Sequence, residues 1–197
     1  MTTIVDFLRH GEPLGGSRYR GSGVDDPLSE QGWRQMWQTL GKQCPWQRVV
    51  SSPLQRCLAF ARALGESHKL PVMVEEDFRE VGFGSWEGLD REQVQARDPE
   101  GYAAFYRDPV NNRPAGAENL LDFGRRVAAA CNRTVAGGKG PILVVAHAGV
   151  IRAVLGHVLQ APPQAWYRIQ VDNAGISRIA CEEGQCRLLF HNRLRLP

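Results

Sequence analysis

Ile142-Leu143-Val144-Val145-Ala146, flanked by Pro141 and running straight into His147-Ala148-Gly149, is the most strand-like run in the chain. Val150, Ile151, Val154 and Val158 then take up the spacing of a helix packed on one face. The same design recurs upstream. Ile4 to Leu8 is a short apolar run broken by Asp6 and followed at once by Arg9-His10-Gly11-Glu12. Arg48 to Ser51 reads as a further strand, after which Ser52-Pro53-Leu54-Gln55 offers an N-cap serine, a proline at the first helical position and a glutamine at the third. Leu54, Leu58, Ala61 and Leu64 continue that helix. Trp33, Met36, Trp37 and Leu40 mark a helix capped by Ser29, and Phe123, Val127, Ala130 and Cys131 mark another. Ile176 to Cys181 and Arg187 to Phe190, separated by Glu183-Gly184, predict a terminal hairpin. The segment from Phe78 to Pro114 is rich in aromatics and turn residues and carries no clear period. Strands alternating with helices predict an α/β fold, a sandwich with a largely parallel sheet and a C-terminal antiparallel hairpin. No repeat or long linker interrupts the 197 residues, which predicts a single domain over 1–197.

Twenty-four Lys plus Arg against 21 Asp plus Glu leave a net charge of +3, too small a surplus to advertise a nucleic-acid groove or a membrane surface. Only Lys42, Lys69 and Lys139 are lysines, so the cations are nearly all arginines, either through codon bias or because arginine's planar fork serves an anion site. Five cysteines form no C-x-x-C pair, and the chain starts on polar Met1-Thr2-Thr3. Together these predict a reduced, cytoplasmic protein, with Cys181 and Cys186 as two free thiols rather than a bridge across the hairpin. No stretch approaches 18 apolar residues, which predicts no membrane partner.

In an open α/β sheet, ligands bind at the carboxyl ends of the strands. The three strand ends therefore bring Arg9 and His10, Ser51, Ser52 and Arg56, and His147 to one crevice. Arg56 falls in the first turn of its helix, where the dipole favours an anion. Two arginines and two histidines around one point suit a phosphoryl group, which carries roughly −1.5 to −2 charge near neutral pH. A metal site is the competitor, but the five histidines show no ligand spacing and no Asp, Glu or Cys cluster joins them. A Walker loop is absent, and Gly21-Ser22-Gly23 lacks the third glycine and preceding strand of a dinucleotide fingerprint. What remains is covalent catalysis with His10 as nucleophile and neither metal nor cofactor.

At these residues the chain resembles a known family. Leu8-Arg9-His10-Gly11-Glu12 looks like the signature of the histidine phosphatase superfamily, also called phosphoglycerate mutase-like. Ser51-Ser52-Pro53-Leu54-Gln55-Arg56 is similar to its second motif, the stretch from Phe78-Arg79-Glu80 to Trp86-Glu87-Gly88 to its third, and Ala146-His147-Ala148-Gly149 to its fourth, all in the family's order. The resemblance implies a three-layer α/β/α sandwich. It implies that His10 carries the phosphoryl group and that Arg9, Arg56, His147 and Ala148 hold its oxygens as charge spreads over them. Glu80 is implied as the group that protonates the leaving alkoxide and then deprotonates water. Pro13 stands where many relatives have a hydroxyl residue and removes a backbone donor, so positions 13 to 16 are not expected to touch a ligand.

The chain is short where the family's mutases carry an extra segment that shields the phosphoenzyme, which implies hydrolysis over transfer. Tyr19-Arg20-Gly21 and the F-G-x-W-E-G motif look most like α-ribazole 5′-phosphate phosphatases of cobalamin synthesis. A broad-specificity or sugar-phosphate phosphatase is the runner-up, and a phosphate-binding regulator with little turnover is the reading from another class. Arg20, Gly21, Tyr102, Tyr106 and Arg113 are candidate walls of the substrate pocket, against the plainer reading that aromatics at this spacing are core. A small-molecule phosphomonoester is the expected partner of a monomer or homodimer.

Overall fold

The computed structural model describes residues 2–137 and 140–196. Strands β1 (Thr3–Arg9), β2 (Arg48–Ser51), β3 (Val72–Val74), β4 (Ile142–Ala146), β5 (Ile176–Glu182) and β6 (Gln185–Arg193) form one sheet in the order β3-β2-β4-β1-β5-β6. The first four are parallel to one another, β5 runs antiparallel to β1, and β6 antiparallel to β5. The helices are α1 (Glu30–Leu40), α2 (Gln55–His68), α3 (Arg91–Arg97), α4 (Pro99–Arg107), α5 (Leu120–Ala136) and α6 (Ala148–Leu159). The α/β sandwich with a terminal hairpin is therefore as expected. The three-residue edge strand β3 and the short helices α3 and α4 carry too few residues for a period to be read.

Alternation along the strands sends side chains to two cores. Val5, Phe7, Val144 and Ala146 pack under α5 and α6, while Leu8, Val49, Leu143 and Val145 pack under α1 and α2. Each such buried Val, Leu or Phe side chain contributes roughly 1.5–3 kcal/mol relative to exposure. Asp6, the polar break in β1, is fully buried. Its carboxylate accepts from Trp46 Nε1 (2.7 Å) and from Arg178 Nε and Nη2 (2.8 and 2.9 Å), so the charge is paired rather than stranded.

Two local expectations are corrected. Ser52 is not the N-cap of α2: its hydroxyl is turned to His147, and the helix begins at Gln55 with Leu54 as a cap that has no side-chain bond. The capping acceptor comes from another loop, where both Asp25 oxygens take the Gln55 N–H (2.8 and 3.1 Å). Cys181 and Cys186 are disulfide-bonded, because the two-residue turn at Glu183-Gly184 sets them directly opposite in the β5–β6 register with Cα atoms 4.1 Å apart. Ser29 caps α1 as expected, accepting the Gly32 N–H. Among the described residues no helix is long and apolar enough to cross a membrane.

Candidate active site

The crossover that inserts β4 between β1 and β2 sets three strand ends side by side. Arg9 pairs with Ala146, the His10 N–H donates to the Ala146 carbonyl (3.0 Å), and the Ser52 N–H to the Val145 carbonyl (3.0 Å). The residues after β1, β2 and β4 thus meet, and the His10 and His147 rings lie 5.2 Å apart. Gly11 makes this possible on one side, since a Cβ there would lie 2.1 Å from the Gly32 carbonyl oxygen of α1.

His10 is nearly buried, and its Nδ1 lies 2.7 Å from the Gly11 carbonyl. A carbonyl can only accept, so Nδ1 carries the proton and Nε2 keeps its lone pair. Burial, then the charges of Arg9 and Arg56, hold the ring well below the usual histidine range, so it stays neutral. His147 is fully buried, with Nε2 2.7 Å from Ser52 Oγ and the Cys57 sulfur packed against its ring. Burial, then Arg56 and His10, lower it in the same way.

Arg56 is 1% exposed, donating to the Val24 and Gly21 carbonyls (both 2.9 Å) with Asp25 at 3.5 Å. Arg9 donates to the Val171 carbonyl and is pushed down to about 10, by burial first and by Arg152 next. Both arginines keep a buried Nε with no partner among the described residues. Each has further donors to spare from its set of five. An anion held between them would satisfy those groups. Glu80 faces the same cavity, its carboxylate accepting from the Val81 and Gly149 N–H groups (2.9 and 3.1 Å) at the start of α6. A Cβ on Gly149 would stand 2.2 Å from Glu80 Oε1, which explains the glycine after His147-Ala148.

The cavity measures about 350 Å³, the lower end for a small-molecule site. Arg9, His10, Arg56, Glu80 and Ala148 line it, as do Arg20, Gly21 and Tyr106, whereas His147 is fully buried beside His10 and not on the wall. Arg20 is itself occupied, by Asp26 and the carbonyls of Leu14 and Gly16. Tyr102 and Arg113 are not on the wall. Tyr102 is buried beside Trp86, and Arg113 braces the Glu80 loop by donating to the Gly82 and Glu118 carbonyls and to Tyr167. Pro13 and Gly16 line the cavity, in a loop held by the bridge between Pro13 and Leu28. Sequence reasoning missed Tyr167, Asn173 and Arg152 on the wall, which come from segments without a motif, and Glu87, which ties down the N–H groups of Ser22, Gly23 and Phe83.

Residues 5–194 match the Histidine phosphatase superfamily (branch 1). The chain is 36% identical over 180 residues to a bifunctional protein of Mycobacterium tuberculosis, covering 89% of itself and 49% of that protein. It thus spans about half the length of that relative. It is 30% identical over 190 residues to the adenosylcobalamin/α-ribazole phosphatase of Salmonella typhimurium, covering 94% of each. The solved structure of a mycobacterial glucosyl-3-phosphoglycerate phosphatase superposes with a TM-score of 0.83 at 30% identity, covering 98% of this chain and 99% of that one.

Proposed function

The chain belongs to the histidine phosphatase superfamily, and we propose that it is a phosphomonoesterase working in two steps through a phosphohistidine on His10, without a metal. The observation that carries this is a neutral imidazole sharing a cavity with two buried arginines, where among the described residues its Nε2 and both arginine Nε groups have no hydrogen-bond partner. In the first step His10 Nε2 bonds to phosphorus as the ester P–O bond breaks, and Glu80 gives its proton to the departing alkoxide. In the second, Glu80 takes a proton from water, the water oxygen bonds to phosphorus, and the P–N bond breaks to release phosphate. Arg9, Arg56 and His147 stabilise the charge on the transferring group. A binding domain with little turnover would need the arginines but neither the free Nε2 nor Glu80.

Two alcohols follow from the named relatives, α-ribazole and glucosylglycerate. The aromatic faces of Tyr19, Phe83 and Tyr167 at the outer cavity suit the flat base of the first and equally the sugar ring of the second. Trapping labelled phosphate on His10 tests the chemistry. His10→Ala should lose aryl-phosphate hydrolysis, wild type should keep it in EDTA, and Glu80→Gln should release phosphate about 10² to 10⁴ times more slowly. Loss of wild-type activity in EDTA would sink the mechanism. A side-by-side comparison of kcat/KM for the two phosphoesters tests the substrate.

A further inference from the structure

We propose that Arg126, on α5, is a positioning residue for the proton-transfer steps: it holds the loop that carries Glu80, and Glu118 completes its grip. The proposal rests on reading Glu80 as the proton carrier of both steps and extends that reading to what keeps the carboxylate in place.

Residues 79–83 form neither helix nor strand, so no ladder of backbone bonds sets the direction in which Glu80 points. Arg126 supplies the missing frame. Its Nη1 donates to the carbonyls of Asp77 and Arg79 (2.7 and 2.8 Å), and its Nη2 to the carbonyl of Glu80 itself (3.3 Å). The other edge of the guanidinium meets Glu118 as a fork, Nε to Oε1 at 2.7 Å and Nη2 to Oε2 at 2.8 Å. All five N–H groups of Arg126 therefore have a partner, and three of those partners are backbone of the catalytic loop. Glu118 carries the hold past Glu80: its Oε2 accepts the Gly82 N–H (3.1 Å), and its own N–H donates to the Gly82 carbonyl (3.1 Å). The guanidinium lies 4.7 Å from the ring centre of Phe123, which is fully buried, so the fork stands on the core. The loop is thus tied on both sides of Glu80 to one planar group, and the carboxylate is left to meet the Gly149 N–H at the cavity. Neither Arg126 nor Glu118 lines that cavity. An ion pair that only stabilised the fold would have no need to gather the carbonyls of residues 77, 79 and 80. A lysine could not gather them, because its compact ammonium lacks the planar fork.

The test compares Arg126→Met with wild type on an alkyl phosphate and on p-nitrophenyl phosphate, whose leaving group departs without needing a proton. For the alkyl ester kcat should fall by about 10- to 100-fold while KM stays within about twofold. For the nitrophenyl ester the first turnover should stay fast and the water step become slow, giving a burst of nitrophenolate and accumulation of phosphohistidine. Arg126→Lys should retain most of the loss, and Glu118→Gln should show the same pattern to a smaller degree. In a Glu80→Gln background Arg126→Met should cost less than about twofold more, since a positioning residue acts only through the group it positions. The burst counts only folded, active chains, so a variant that merely unfolds loses burst amplitude and keeps its turnover per active site. That result, full activity in Arg126→Lys, or a loss that multiplies with that of Glu80→Gln would overturn the role of Arg126 while the phosphohistidine mechanism stands. Failure to trap phosphate on His10 in wild type would instead remove the reading beneath it.

Discussion

Both histidines at the strand ends are neutral for a reason that reaches beyond catalysis. Burial next to Arg9 and Arg56 depresses their proton affinity in the folded chain, whereas in the unfolded chain they take up protons near ~6.5. The unfolded state therefore binds more protons below that pH, and stability falls as pH drops toward the folded values. The denaturant midpoint should be lower at about pH 5 than at about pH 7, and His147→Asn should show a smaller difference between the two. A midpoint that rises on acidification would contradict the assignment. The same depression should keep His10 competent as a nucleophile on the acid side of the usual histidine range. At this scale the sequence was informative wherever a side chain followed a strand: Arg9, His10, Arg56 and His147 were legible from position alone. Glu80 was not, because it sits on a turn without periodicity, and only its resemblance to a motif singled it out. Arg152 was hidden inside an ordinary helix pattern.

Helix α2 shows how one element can borrow its start from another. The local pattern Ser52-Pro53-Leu54-Gln55 has every feature of a self-contained cap, yet the Ser52 hydroxyl is drawn to His147 and the loop residue Asp25 takes over. Local pattern could not anticipate this, since the winning partners lie far away along the chain. Asp25→Ala should cost about 1 kcal/mol, the usual loss for an N-cap acceptor, read as a lower midpoint in chemical denaturation. Because Asp25 also stands 3.5 Å from Arg56, KM should rise more than kcat falls, with Asp25→Asn recovering part of the stability. The hairpin behaves differently. Its disulfide closes a short loop, so removing it with Cys186→Ser should cost about 2 kcal/mol or less. Cys181 lies opposite Thr3, at the far end of β1 from His10, and reduction should leave kcat/KM unchanged. An activity that tracks the thiol state would show that the two ends of β1 communicate.

Over the whole molecule the mild charge of +3 conceals a strongly uneven distribution, with six arginines around one cavity. A field concentrated in a cleft draws in a doubly charged substrate and is screened within about 10 Å at 0.1 M salt. Raising ionic strength from about 0.05 to 0.3 M should lower kcat/KM several-fold while kcat changes little; salt-independent values would mean the arginines act only on contact. The alternation of strands and helices was readable from apolar spacing, but the strand order was not, because nothing local states which neighbour a strand will choose.

That order has a consequence for how the protein is made. With β4 seated between β1 and β2, a chain still emerging from the ribosome has no adjacent partner for its first strand until residues 142–146 have been synthesised. The central pairings are all of long range, which slows folding and leaves both edges of β1 and one edge of β2 open in the interim. The nascent amino-terminal part should therefore depend on chaperones, and it acquires a competent catalytic centre only when the closing third of the chain threads into the gap.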